Sequence, residues 1–143
     1  MKDSNIDFLK LVYHNAKMGE EAIVNTLKNI KESPLKDALR RQRMQYREIL
    51  KEAKDMLYQY GEAPEDLGFF TKMQLRSAIK FNTLVSNSES HVAEMMMQGS
   101  NMGIIDMTRE LNEYDDVDPE VRNLGEKLLM IEEENFQNMR RFL

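Results

Sequence analysis

No cysteine occurs in the 143 residues. That removes disulfides, thiolate nucleophiles, zinc fingers, Cys-ligated iron–sulfur clusters and c-type haem attachment from consideration. Basic residues are not in excess either: the formal net charge is −5 and both signs are mixed along the chain, which leaves no electrostatic footprint for nucleic acid. The one basic cluster, Arg40, Arg41, Arg43 and Arg47, falls inside a predicted helix with acids nearby and reads as a solvated face. No apolar run is long enough to cross a bilayer, and no apolar segment follows a basic start. A cytoplasmic protein is the default expectation.

Proline and glycine are scarce, at three and six residues, and the prolines punctuate the chain. Pro34 follows Lys31-Glu32-Ser33, Pro64 ends Gly61-Glu62-Ala63-Pro64, and Pro119 follows Asp118. Each lacks a backbone donor and clashes with a preceding turn, so helices stop or start there. Between them the apolar residues recur at helical spacing, with no strand signal. Hydrophobic residues make up 41% and charged residues 31%, enough for a packed core in one domain of this length. The expected fold is all-α, an antiparallel four-helix bundle.

The first helix, about 5–31, carries the seam Ile6, Leu9, Tyr13, Ala16, Glu20, Ile23, Leu27 and Ile30. The second, about 35–60, repeats it with Leu35, Leu39, Gln42, Tyr46, Ile49, Ala53, Met56 and Tyr60. Three or four joining residues would make these two a hairpin. The fourth, about 118–142, opens with Asp118 as N-cap and Pro119 at the first helical position, and Arg140 and Arg141 close it. Its face runs through Val121, Leu124, Leu128, Ile131, Asn135 and Phe142. Residues 66–112 also look helical, but a straight helix of that length would measure about 70 Å. A break at Asn87-Ser88-Glu89-Ser90 is therefore expected, dividing an arm or crossover at 66–86 from a bundle helix at 88–112.

Glu20 stands at a core-facing position, and a buried carboxylate must be paired, metal-bound or protonated. Counting back from the hairpin turn sets Tyr46 and Gln42 opposite it, so a bonded polar layer is the simpler reading. Gln98 in the middle of the 88–112 helix reaches the same level, with Glu94 and His91 one and two turns before it. The sharper reading gathers Glu20, His91, Glu94 and Glu132 into a metal site, because inward carboxylates and histidine hold iron or manganese in di-metal bundles. Those bundles place Glu-x-x-His on two helices, whereas this chain has one reversed His91-Val92-Ala93-Glu94 and two histidines in all. His14 falls just off the seam and is expected at the surface. No cofactor is the favoured expectation, with iron or manganese the alternative.

Methionine is abundant, with twelve residues, of which Met95, Met96, Met97, Met102 and Met107 crowd one helix. A plastic core or repackable contact surface is favoured over soft-metal binding, or over a haem held by His91 or His14 with a Met. Gly19, Gly99, Gly103 and Gly125 lie inside predicted helices, where close helix approach is the simpler account and a ligand pocket the other. A second stripe on the first helix, Phe8, Leu11, Met18 and Ala22, calls for a further partner. Either the 66–86 arm, through Phe69, Phe70 and Met73, or a second subunit would supply it, and a homodimer is expected.

The stretches Asn15-Ala16-Lys17-Met18-Gly19-Glu20-Glu21 and Ser90-His91-Val92-Ala93-Glu94-Met95-Met96-Met97-Gln98-Gly99-Ser100 resemble a group of uncharacterised bacterial proteins with a ferritin-like bundle. The resemblance implies four helices and, in some members of the wider superfamily, a carboxylate-bridged di-metal centre. Glu20 or Glu21, Glu94 with His91, and Glu132 or Glu133 would then be its ligands. No nucleophile with a base, phosphate loop or dinucleotide fingerprint appears, so a non-catalytic bundle acting through protein contacts is the leading expectation.

Overall fold

Short polar side chains start three of the four described helices. Asp3 accepts a hydrogen bond from the Asn5 amide at 2.9 Å, Ser33 from Lys36 at 3.2 Å, and Ser88 from His91 at 3.3 Å. Each satisfies an amide that the first turn leaves without a partner. The computed structural model describes residues 3–63 and 88–143, and over them the chain forms α1 (Ser4–Leu27), α2 (Pro34–Gln59), α3 (Glu89–Glu113) and α4 (Pro119–Met139). A 3-10 turn, Arg140–Phe142, follows α4. The expected arm at 66–86, with Phe69, Phe70 and Met73, lies outside the described residues.

Helix α1 stops four residues before its expected end. Lys28 caps it, the Thr26 hydroxyl donates back to the Ala22 carbonyl, and Asn29 donates its side-chain amide to the Asn25 carbonyl. Thr26 bonds back into the last turn and Asn29 satisfies a carbonyl that the helix leaves free, and the chain turns there instead of continuing. Six residues, not three or four, therefore join α1 to α2. Helix α2 ends in a left-handed Gly61 at φ +80°, with Glu62 N–H bonding to Leu57 O and Gly61 N–H to Tyr58 O. Only glycine adopts that conformation without a steric penalty, which fixes the stop.

The helix directions follow from the end contacts. Asn5 Oδ1 accepts from the Asp118 amide at 2.7 Å, and the Tyr60 hydroxyl donates to Asp118 Oδ2 at 2.5 Å. Lys10 pairs with Glu62 at 3.5 Å. One end of the bundle thus holds the start of α1, the end of α2 and the start of α4. Asn15 reaches Met107 and Glu110, while Thr26 faces Met96, so α3 finishes at that same end. Helices α2 and α3 therefore run parallel, and α2 ends where α3 is farthest from beginning. Asp118 is the N-cap of α4 as expected, but its carboxylate serves Tyr60 rather than its own helix.

The four helices pack around one apolar core that includes Leu9, Ile23, Leu39, Ile49, Leu57, Val92, Met107, Leu128 and Met139. Each such side chain contributes about 1.5–3 kcal/mol on leaving water. Helix α1 touches all three of the others. That position accounts for Phe8 of the second stripe, which is fully buried, edge-on to Tyr114 at 5.8 Å, while Leu11, Met18 and Ala22 are half-buried. A helix with three neighbours needs more than one apolar face, so Phe8 is used inside the bundle.

Candidate functional site

The only tyrosine fully committed to the centre of the bundle among the described residues is Tyr46, from the middle of α2. Its ring lies across α1 where Gly19 has no side chain: a Cβ there would sit 2.6 Å from Tyr46 Cζ. Passing α1 in this way, the hydroxyl donates to Glu132 Oε1 of α4. Asn135, one turn later on α4, donates its Nδ2 to the Tyr46 oxygen at 3.4 Å. Ser100 of α3 is buried near Tyr46 and opposes part of the rise in its pKa. Glycine makes room for the acid as well, since a Cβ at Gly103 would stand 2.7 Å from Glu132 Cδ.

The four described helices thus meet at a phenol and a carboxyl group, and no cation among the described residues is bonded to the carboxyl. Burial pushes Glu132 up to about 8, the Tyr46 hydrogen bond offsets part of that, and the charge of Asp106 adds to it. Tyr46 is likewise held well above its ordinary range, first by burial and then by Glu132. Both shifts favour the protonated forms. The arrangement stores neutral hydrogen-bonding capacity in the core.

The four residues read as candidate metal ligands do not come together. Glu20 is buried at the α1–α2 edge, where Lys17 Nζ stands 3.3 Å away and Arg47 Nε 3.8 Å. His91 and Glu94 form an outlying pair on α3 at 3.8 Å, with Glu94 exposed. Glu132 faces Tyr46. Among the described residues no group of three or more histidines and acids is placed to hold a metal ion. The expected partners of Glu20 also change: Tyr46 bonds Glu132 instead, and the buried Gln42 Nε2 has no partner. The reason is Gly19, which lets the ring reach past α1.

Three further placements differ from expectation. His14 is buried, not on the surface, and burial lowers its basicity. Gln98 and Gly99 are exposed, because α3 buries Val92, Ala93, Met96, Ser100, Met107 and Leu111. Gly99 faces open space, while Gly103 and Gly125 are close approaches. Ser100 and Glu110 were not singled out by sequence. Burial pushes Glu110 up to about 7, helped by Asp106 and Glu113, and Asn15 donates to it at 3.4 Å.

No protein-family profile and no curated protein matches the chain. Among solved structures it is similar to one titled a DUF305 fragment from Deinococcus radiodurans. The match has a TM-score of 0.74 and 14% sequence identity, and covers 98% of this chain and 95% of the other. The likeness supports the four-helix architecture and, at that identity, carries no activity across. No described helix is long and apolar enough to cross a membrane.

Proposed function

We propose that this chain is a non-catalytic, ferritin-like helical bundle that acts through protein contact, pairing with a second copy of itself across α3. One observation carries the reading: residues 95–105 of α3 contain no charged side chain, in a protein that is 31% charged. Gln98, Asn101, Met102 and Ile105 of that stretch are exposed, Met102 at 44% and Ile105 at 47%. By contrast, the outer face of α2 carries exposed Arg40, Arg41, Arg47, Glu48, Lys51, Lys54 and Asp55.

A two-fold axis sets each central residue against its own copy, so a charge at the axis meets a like charge. With a net charge of −5, two copies approach most readily through an uncharged face. Methionine and isoleucine there add apolar area that can repack. The parallel course of α2 and α3 supports the ferritin-like reading, since such bundles carry one long crossover. Iron or manganese binding has weaker support, because Glu20, Glu132 and the His91–Glu94 pair stand in separate surroundings.

Light scattering across a concentration series tests the proposal. The expected result is twice the mass of one chain for the unaltered protein, and a single-chain mass for Met102→Glu with Ile105→Glu. A single-chain mass throughout, or a dimer indifferent to both substitutions, overturns it. Near-stoichiometric metal, lost in Glu20→Ala and Glu132→Gln, would favour the metal reading instead.

A further inference from the structure

The outer face of α3 is uncharged in its middle and oppositely charged at its two ends. Glu94, Gln98, Asn101, Ile105 and Arg109 are all exposed and recur at steps of three or four, with exposed Met102 beside them. That spacing makes them one stripe. It lies opposite the buried positions Val92, Met96, Ser100, Met107 and Leu111. Glu94 ends the stripe on one side and Arg109 on the other, roughly 22 Å apart at the rise of an α-helix. Asp106 stands to one side of it.

Neither end charge is held tightly by its own helix. Glu94 meets His91 Nδ1 at 3.8 Å, and Arg109 meets Asp106 at 3.9 Å. Both contacts are about one ångström longer than a good charge-assisted hydrogen bond. Both side chains are well exposed, Glu94 at 58% and Arg109 at 64%, so these contacts fix neither in place.

A two-fold axis can set α3 against its own copy in two directions. In a parallel pair each residue faces itself, so Glu94 meets Glu94 and Arg109 meets Arg109 of the second copy. In an antiparallel pair centred between Asn101 and Met102, positions 94 and 109 are equidistant from the axis. Glu94 of each copy then faces Arg109 of the other, twice, and Ile105 faces Gln98.

We infer that two copies join antiparallel through α3, in the register that sets Glu94 of each against Arg109 of the other. The inference rests on the dimer proposed above and adds its direction, its centre and the two residues that select the partner surface. Helices about 20° from antiparallel stay within side-chain reach over a stripe of this length, whereas at about 50° the ends splay apart. Met102 and Ile105 supply the apolar contact. The rim pairs supply the register, because an exposed ion pair adds little affinity while like charges in its place repel.

Charge reversal tests this. Glu94→Arg alone brings two positive charges together at both rims, and Arg109→Glu alone brings two negative ones. The dimer dissociation constant of each variant, by sedimentation equilibrium, is expected to rise on the order of 10- to 100-fold. Mixed, the two variants should form a hetero-dimer about as tight as the unaltered dimer, since every rim again holds one acid and one arginine. Native mass spectrometry separates it from either homodimer. Both substitutions in one chain should restore the homodimer for the same reason. Both residues are exposed, so helicity by circular dichroism should be unchanged throughout. Lys51→Glu, on the outer face of α2, alters the net charge as Arg109→Glu does and should leave the dimer intact. A single-chain mass for the unaltered protein overturns the dimer and this register together. A dimer in which single reversals cost nothing, or whose two variants do not combine on mixing, overturns the register and leaves the dimer standing.

Discussion

Gly125 leaves its side-chain space to the ring of Phe8, whereas Gly103 leaves its own to the carboxyl group of Glu132. The two crossings use one device, a missing Cβ that lets a neighbouring side chain lie against a helix backbone. At the Phe8 crossing the occupant is apolar, packed on Tyr114 and Leu111 and indifferent to protons. At the Glu132 crossing the occupant titrates, and its phenol neighbour is itself admitted by a third glycine, Gly19. The first region is fixed by volume alone. The second is fixed by volume and by one proton.

The largest expected effect comes from emptying the apolar crossing. Phe8→Ala should lower unfolding stability by about 3–5 kcal/mol, because the helices around a fully buried ring cannot collapse to fill the space. Urea titrations at pH 5 and pH 9 should show the same loss at both. A loss that changes with pH would mean that Phe8 shields a titrating group, and the two regions would no longer be distinct.

Glu132→Gln probes the other crossing and should do the reverse of damage at high pH. A carboxyl group raised from 4.5 to about 8 keeps its proton in the folded chain and loses it in the unfolded one between those values. The unfolded state then binds fewer protons, so stability falls as pH rises from about 4.5 and levels off above about 8. The amide cannot ionise. Glu132→Gln is therefore expected to be near neutral at pH 5 and to stabilise by about 2–4 kcal/mol at pH 9. Glu110, raised to about 7, adds a smaller descent of the same sign that survives the substitution. Equal stability differences at pH 5 and pH 9 would show that Glu132 is ionised in the folded core.

Adding the missing Cβ compares the two occupants directly. In Gly125→Ala the new atom would lie 2.8 Å from Phe8 Cε1 and 3.3 Å from Leu111 Cδ2, and the ring has nowhere to go. A net loss of about 1–3 kcal/mol is expected, after the gain in helix propensity. In Gly103→Ala the obstacle is the end of a flexible glutamate side chain, which can turn aside. Its loss should stay below about 1 kcal/mol. The reverse order, measured by thermal unfolding, would mean that Tyr46 and Asn135 hold the carboxyl rigidly.

These particulars also show how far the sequence could be read. Helix number and the prolines at the starts of α2 and α4 were legible because backbone chemistry acts locally. The seam of α2 was legible because its outer face is densely charged, so Leu35, Leu39, Tyr46, Ile49 and Ala53 stand out by contrast. Helix α3 offers no such contrast. Its uncharged run 95–105 does not say which side faces inward, and the expected face through His91, Glu94 and Gln98 lies about one residue's rotation from the buried one. The Tyr46–Glu132 bond was hidden for a different reason. Both residues sit at seam positions, but pairing them requires knowing that the ring passes Gly19, and Gly19 was the available signal. His14 was missed because one apolar stripe describes a helix with one neighbour, and α1 has three.

Gly99 supplies the smallest expected change and the control for all the others. It is a mid-helix glycine like Gly103 and Gly125, yet nothing lies within 4 Å of where its Cβ would stand. Gly99→Ala should therefore stabilise the chain by about 0.5–1 kcal/mol, through the extra conformational entropy that glycine loses in a helix. That gain is also present in Gly103→Ala and Gly125→Ala, where crowding masks it. Subtracting it isolates the contact term at each crossing and sets the scale on which the ring and the carboxyl group are compared. A loss at Gly99, seen by urea unfolding at concentrations where light scattering finds single chains, would mean that its open face is occupied in solution. The glycine would then belong to the crossings rather than serve as their reference.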